Sequence, residues 1–103
     1  MRIKTDDTGL IDLLEPFFRR DTREKAARIL MNLRRHEMGT NQLARVCGIS
    51  PSTVSDILKK LEMLGFVEQD FRASPWRLSS RFIRNMERIM LAWRRFIREQ
   101  NTD

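Results

Sequence analysis

Cysteine and histidine are nearly absent from this chain of 103 residues, which contains one of each, Cys47 and His36. A single cysteine excludes a disulfide within the chain, and one histidine beside it leaves no ligand set for a zinc-type site. We therefore expect no metal and no cofactor, and we expect Cys47 to be a buried structural residue. The chain also lacks a nucleophile–base pair, a glycine-rich phosphate loop and a carboxylate pair in an apolar setting, so we expect that it is not an enzyme.

Long hydrophobic runs are missing as well. No apolar stretch approaches the roughly 20 residues of a membrane-spanning helix, and the first residues lack the apolar core of a secretory signal. We therefore expect a cytoplasmic protein without a membrane partner. Hydrophobic residues make up 41% of the chain, which is enough for one modest core in a single domain.

Acidic charge is in the minority: 20 lysines and arginines face 14 aspartates and glutamates, for a net charge of +6. The excess lies mainly in residues 19–37 and 81–103. Such a balance suits an anionic partner. Composition alone leaves DNA, RNA, an acidic protein and a solvated surface without a partner as open alternatives.

Glycine and proline are few, with four and three, and they divide the chain into helices. The apolar cluster in residues 10–18, which Pro16 interrupts, predicts a helix of about two turns. Asp21 is the predicted N-cap of the next helix, because Glu24 three residues later completes a capping box. Residues 38–40 then break that helix and predict a very short strand.

The segment that follows has the signals of two helices joined by a tight turn. Thr40 is the predicted cap of the first helix, and Gly48 ends it because glycine tolerates a positive φ. Ser50 and Pro51 begin the second helix as its N-cap and its first helical residue. Gly65 ends the second helix.

A β-hairpin and a long helix complete the predicted order of elements. Two short stretches in which apolar and polar residues alternate loosely, residues 66–70 and 76–78, flank a turn-forming segment and predict the hairpin. Ser79 or Ser80 then caps the last helix, which we expect to end near Glu99.

The stretch TNQLARVCGISPSTVSDILK, residues 40–59, fits two helices that cross steeply through a three-residue turn. Ala44 is small where the helices approach, Gly48 permits the turn, and Ser50 caps the second helix so that its start points outward. This segment resembles the helix-turn-helix of bacterial and archaeal regulators. With a helix before it and a hairpin after it, residues 21–80 resemble the winged-helix regulators of the MarR and ArsR type. The fold class that this implies is mainly α with a small β-hairpin: a winged helix-turn-helix with N-terminal and long C-terminal flanking helices.

The resemblance also implies which side chains bind DNA. The helix after Ser50 corresponds to the recognition helix, whose front end reads base edges while later lysines meet phosphate, and a hairpin arginine reaches the minor groove or a phosphate. The predicted contacts are Ser50, Pro51, Ser52, Thr53, Ser55, Asp56, Lys59 and Lys60 on that helix, Arg72, Ser74 and Arg77 in the wing, and Thr40, Asn41 and Gln42 in the flanking helix start. The chain lacks the clustered cysteines and histidines of ArsR-type metal sensors, so metal sensing is not implied, and no effector site is visible.

Asp56 is the acidic member of the predicted contact set. Its carboxylate can accept from cytosine N4, repel phosphate, or pair with Lys60 at the helical i, i+4 spacing, and we favour the pair. The recognition helix has no arginine, although a bidentate arginine is the commonest specific reader of a base. We therefore expect modest sequence specificity, with much of the affinity from phosphate contacts and DNA shape.

The final helix has an apolar arc wider than one domain needs to bury. One row of this arc can cover the chain's own core, and the other predicts a partner helix from a second subunit. The predicted dimer interface comprises Phe82, Ile83, Met86, Ile89, Met90, Trp93, Phe96 and Ile97, together with Leu14 and Phe17 from the N-terminal helix. The alternatives are a monomer in which the N-terminal helix covers the arc, and an arginine-rich helix on a membrane surface.

We therefore expect three parts: an N-terminal apolar helix in residues 1–20 that contributes to dimerisation, a DNA-binding domain in residues 21–80 and a dimerisation helix in residues 81–103. The predicted function is sequence-dependent binding of double-stranded DNA by a homodimer that regulates transcription as a repressor. The alternatives are a winged helix that serves as a protein-interaction module in a larger assembly, and a low-specificity, chromatin-like DNA binder. The recognition helix favours DNA, because a protein-binding winged helix shows an apolar exposed face there.

Overall fold

The computed structural model describes residues 9–100. The first eight residues of the expected N-terminal segment and the last three of the expected dimerisation helix lie outside these described residues. Helix α1 covers residues 9–14, and a turn at residues 15–17 follows it. Pro16 fits this break, because proline cannot continue the helical hydrogen bonds.

Helix α1 and the turn after it pack on the core of their own chain. Leu14 is completely buried and Phe18 is 6% exposed. The prediction that Leu14 contributes to a dimer interface is therefore wrong, because the chain's own core already removes this side chain from water. Phe17 is half-buried, and its ring lies edge-on to Phe66 and Phe82, with centroids 6.1 and 5.9 Å apart.

Helix α2, Arg20–Arg35, runs through the centre of the domain. Its buried face consists of Ala26, Ala27, Ile29, Leu30 and Leu33, at the spacing of one side of a helix. The predicted cap is corrected: Arg19 occupies the N-cap position, no side chain caps the helix, and Asp21 lies within the first turn. A carboxylate there still favours the helix, because the first turn carries a partial positive charge.

Helices α3, Thr40–Cys47, and α4, Pro51–Leu64, form the helix-turn-helix. Gly48 has a φ of 68°, so the predicted left-handed turn residue is confirmed. The predicted cap of α3 is corrected, because Gly39 holds the N-cap position and Thr40 is already helical. The Thr40 hydroxyl instead accepts a hydrogen bond from Trp76 Nε1 at 3.2 Å.

The hairpin has strands β1, Val67–Glu68, and β2, Arg77–Leu78, which pair antiparallel with Val67 opposite Leu78. It is shorter than predicted. Met38 forms an isolated bridge with Trp76, which confirms the very short strand expected before α3. Through this bridge and the Trp76 indole, the wing attaches to the start of α3.

Helix α5, Arg81–Glu99, follows the wing and has no buried residue. Ser80 occupies its N-cap position without a side-chain bond, whereas the Ser79 hydroxyl accepts from the Arg81 backbone N–H at 3.1 Å. The predicted fold class, mainly α with a small β-hairpin in a winged helix-turn-helix, is confirmed. None of the helices in residues 9–100 combines the length and apolar character of a membrane span.

Candidate nucleic-acid interface

The start of α4 is polar, capped and exposed. Ser50 accepts a hydrogen bond from the Thr53 backbone N–H at 3.3 Å, and its hydroxyl donates to Thr53 Oγ1 at 2.8 Å. Pro51 follows at the first helical position, so the predicted cap is confirmed. Ser50, Pro51 and Ser52 are exposed. The helix therefore presents the partial positive charge of its N-terminus to solvent, an arrangement that attracts phosphate.

An open groove runs between α4, the start of α3 and the wing. Seven of the predicted contacts line it: Thr40, Asn41, Gln42, Ser55, Lys59, Arg72 and Ser74. These residues come from three segments that are separate in the sequence, and packing of the wing against α3 brings them together. Gly39, Glu62, Gln69, Ala73 and Trp76 also line the groove, and the sequence analysis did not include them. Glu62 had a signal, because it lies seven residues after Ser55 on the same face of α4.

Asp56 and Lys60 lie on a different side of α4 from the groove. Both border a cleft that Phe18, Arg19 and Thr22 also line. The Lys60 ammonium lies 4.9 Å from the centroid of the Phe18 ring, at cation–π distance. Among the ion pairs between residues 9 and 100, none joins Asp56 to Lys60, so the favoured pairing is corrected. The Lys60 ammonium lies over the Phe18 ring instead, and no cation between residues 9 and 100 pairs with the exposed Asp56 carboxylate.

Arg77 is held inside the wing by two carboxylates. Its guanidinium donates to Glu68 Oε2 at 3.0 Å and to Asp70 Oδ1 at 2.8 Å. The Ser79 hydroxyl, and after it Arg77, hold the pKa of Glu68 below its ordinary value, while Arg77 alone lowers the pKa of Asp70. Arg77 therefore ties the strands of the hairpin together, and its charge is compensated within the wing; its contact with DNA stays a prediction.

The wing tip is a closed turn that presents Arg72. The Ser74 hydroxyl donates to Phe71 O at 2.6 Å and accepts from Phe71 N at 3.1 Å, so it shapes the turn from within the groove wall. Ala73 has a φ of 75°, which is uncommon for a residue other than glycine. Arg72 is exposed, and Phe71 beside it is 71% exposed, a feature that the sequence analysis missed.

Cys47 supports the helix-turn-helix from inside. The residue is buried, as predicted, and burial raises the pKa of its thiol. Arg28 donates to Cys47 O at 2.7 Å, and Asn32 Nδ2 lies 3.5 Å from the sulfur. These bonds join α2 to the end of α3. Within residues 9–100 no group of three or more histidine, cysteine, aspartate or glutamate side chains could hold a metal ion.

Helix α5 exposes most of the predicted dimer interface. Ile83, Ile89, Met90, Trp93, Phe96 and Ile97 are exposed, and so is Leu91 on the other side of the helix. The rings of Trp93 and Phe96 stack with centroids 5.5 Å apart. Met86 is half-buried, and Phe82 is half-buried against Phe66, with ring centroids 4.1 Å apart. Phe82 therefore also belongs to the core of its own chain.

A helix-turn-helix with a hairpin wing, an exposed polar helix start and a groove that carries Lys59 and Arg72 defines a winged helix-turn-helix DNA-binding protein. A family model described as "Bacterial regulatory protein, arsR family" matches residues 23–69, from α2 to the first strand of the wing. The predicted resemblance to a winged helix-turn-helix regulator is confirmed: residues 23–69 match an arsR-family helix-turn-helix domain, and this match supports DNA-binding transcriptional regulation. Comparisons with curated proteins and with solved structures gave no match.

Proposed function

We propose that this chain binds a pseudo-palindromic site on duplex DNA as a homodimer and represses transcription there. The observation that carries the proposal is the groove in which the start of α3, one side of α4 and the wing meet beside the exposed start of α4. Ser55, Lys59 and Arg72 line this groove together with the start of α3, which supports insertion of α4 into a major groove.

The proposed reading of DNA divides among three elements. The front end of α4 enters the major groove, where Ser52 and Ser55 reach base edges and Lys59 meets a phosphate. The start of α3 contacts the sugar–phosphate backbone through its N-terminal amides. Arg72 reaches the minor groove from the wing tip, where a narrow groove attracts arginine. Short hydroxyl side chains discriminate weakly among bases, so phosphate contacts and DNA shape supply much of the affinity.

The homodimer is proposed because the apolar face of α5 is exposed to solvent in a single chain and would be buried in a subunit interface. Exposed aromatic and aliphatic side chains follow one side of this helix from Ile83 to Ile97, while its own domain covers side chains only partly and only up to Met86. A second copy of the chain has the same apolar face, and in a two-fold symmetric dimer these two faces bury each other. Two recognition helices about one turn of DNA apart then read two half-sites.

Repression is the proposed sign of regulation. A dimer that covers two adjacent half-sites keeps other proteins from the same DNA without any further contact. A reporter gene placed behind the bound DNA is therefore expected to lose expression when the protein is supplied, and increased expression would reverse the sign.

Adjacent lysines of α4 provide the test of DNA binding. Lys59 lines the groove, whereas Lys60 lies over Phe18 and serves as the matched control. Binding to duplex DNA from the region beside the protein's own gene is measured by fluorescence anisotropy at several salt concentrations. Each lost phosphate contact flattens the slope of log K against log salt by about 0.9, so Lys59→Gln is expected to flatten it by roughly 1.8 for a dimer. Lys60→Gln is expected to change it far less.

Three results would contradict the proposal. An affinity that does not depend on salt would show that the protein does not bind DNA through phosphate contacts, and it would favour the alternative function as a protein-interaction module. Equal slopes for Lys59→Gln and the wild type would show that DNA does not occupy the groove. An equal affinity for random duplex DNA would point to a general DNA binder without a defined site.

A further inference from the structure

The joint between α4 and α5 consists of direct contacts to the end of the recognition helix. The Phe82 backbone N–H donates to Gly65 O at 2.9 Å, Arg81 donates to Glu62 O at 3.1 Å, and Asn85 Nδ2 donates to Leu64 O at 3.1 Å. The last carbonyls of a helix have no partner within it. The first residues of α5 therefore bond to Leu64 O and Gly65 O and add a second donor to Glu62 O, which already accepts from Gly65 N at 3.1 Å.

The backbone of Gly65 is packed tightly against the start of α5. Gly65 has a φ of 99°, and a Cβ there would lie 2.7 Å from Phe82 N and 2.8 Å from Asn85 Nδ2. The Phe66 and Phe82 rings stack beside it with centroids 4.1 Å apart. Close-packed groups of this kind have discrete arrangements and resist gradual tilting. The direction in which α5 leaves the domain is therefore set relative to the recognition helix.

We infer that Asn85 is a positioning residue that fixes this direction and thereby determines which half-site separation the dimer accepts; the inference rests on the proposed function. Helix α5 is about 28 Å long, so a tilt of roughly 10° at the joint displaces its far end by ~5 Å, more than the ~3.4 Å rise of a base pair. A small change in the direction of α5, caused by a substitution at Asn85, can therefore shift the preferred half-site separation by a base pair or more.

Asn85 is a better candidate than Arg81 or Phe82 for the residue that fixes the direction of α5. Phe82 is packed among core aromatic rings, and Arg81 Nε is buried without a hydrogen-bond partner among the described residues, so changes at either position disturb folding directly. Asn85 is half-buried and adds no apolar surface to the core. Its Oδ1 accepts from Arg88 at 3.1 Å, one turn further along, which orients the amide toward Leu64 O.

A spacing series of duplexes tests the inference. Selection from a random-sequence duplex library first yields the half-site that the wild-type protein prefers. Duplexes with two copies at increasing separation are then compared by gel shift, with a single half-site as reference. The wild type is expected to prefer one separation at least tenfold over its neighbours. Asn85→Ala and Asn85→Leu are expected to broaden this preference to less than threefold, or to shift it by a base pair or more, at unchanged affinity for the single half-site.

Arg84→Gln is the matched control, one position before Asn85 on α5, and its profile is expected to equal that of the wild type. Circular dichroism melts identify which Asn85 variant is folded at the temperature of the assay. A folded Asn85 variant with the wild-type spacing profile overturns the inference. A wild-type protein that selects no paired half-sites overturns the proposed dimeric function instead, so the two failures are distinguishable.

Discussion

At the scale of single residues, the wing depends on one arginine between two carboxylates. Glu68 and Asp70 both have a pKa below the ordinary value, and Arg77 contacts each of them. A carboxylate with a lowered pKa in the folded state stabilises that state above its ordinary pKa and loses the contribution as the pH falls through the lowered value. The wing is therefore expected to keep these ion pairs at neutral pH and to lose them only in acid, below the ordinary values of 4.5 and 3.8.

Replacing the arginine separates the two carboxylates. Arg77→Gln is expected to raise the pKa of Asp70 toward its ordinary value, because Arg77 is the main cause of its lowering. The pKa of Glu68 is expected to rise less, because the Ser79 hydroxyl still lowers it. Carboxyl carbon chemical shifts followed by NMR from pH 2 to pH 7 measure both values. Ser79→Ala is the control and is expected to raise the pKa of Glu68 while the pKa of Asp70 stays unchanged. If Arg77→Gln raised the pKa of Glu68 more than that of Asp70, this account would be contradicted.

At the scale of elements, the helix boundaries depend on signals of unequal strength. The start of α4 has two agreeing local signals, a serine cap and a proline at the first helical position, and its start follows the prediction. The start of α2 had a capping-box pair, Asp21 and Glu24, and the start of α3 had Thr40 alone. The structure places both Asp21 and Thr40 inside their helices, because neither side chain makes the cap bond. The Thr40 hydroxyl bonds to Trp76, 36 residues away, and no local pattern contains that contact.

Two glycines end helices for different reasons, and this difference is measurable. Gly48 and Gly65 both have a positive φ, but an added Cβ meets nothing within 4 Å at Gly48 and Phe82 N at 2.7 Å at Gly65. Gly48→Ala is expected to cost about 1–2 kcal/mol of the free energy of unfolding, from the backbone conformation alone. Gly65→Ala is expected to cost roughly 1–3 kcal/mol more, because α5 must also move. Urea unfolding at one fixed protein concentration measures both, and equal losses would show that the joint yields freely.

At the scale of the whole molecule, assembly depends on which side of α5 is covered. Ile89 and Leu91 are similarly exposed, at 58% and 55%, but they point to opposite sides of the helix. Ile89→Asp places two charges in the proposed two-fold interface and is expected to weaken dimerisation at least 100-fold. Leu91→Asp is the matched control and is expected to sediment with twice the mass of one chain, as the wild type does.

Sedimentation equilibrium at micromolar concentration measures this difference, and circular dichroism checks that both variants keep their helix content. Because α5 beyond Met86 buries nothing in its own domain, neither variant is expected to unfold the helix-turn-helix. A wild-type monomer, or equal loss of dimer in both variants, would contradict an interface on the Ile89 side.

The amino-acid sequence by itself determined the local features of this protein. The turn at Gly48, the cap at Ser50, the stop at Gly65 and the apolar spacing of the helices depend on neighbours within a few residues, so the fold class and the position of the recognition helix are readable from them. Only the tertiary structure decided where individual side chains went. Packing placed Leu14 in the core, Lys60 over Phe18 and Arg77 between two carboxylates, and it left Lys59 facing the groove. Adjacent lysines look alike in a sequence, and what distinguishes them is the distant surface that each one meets when the helices pack.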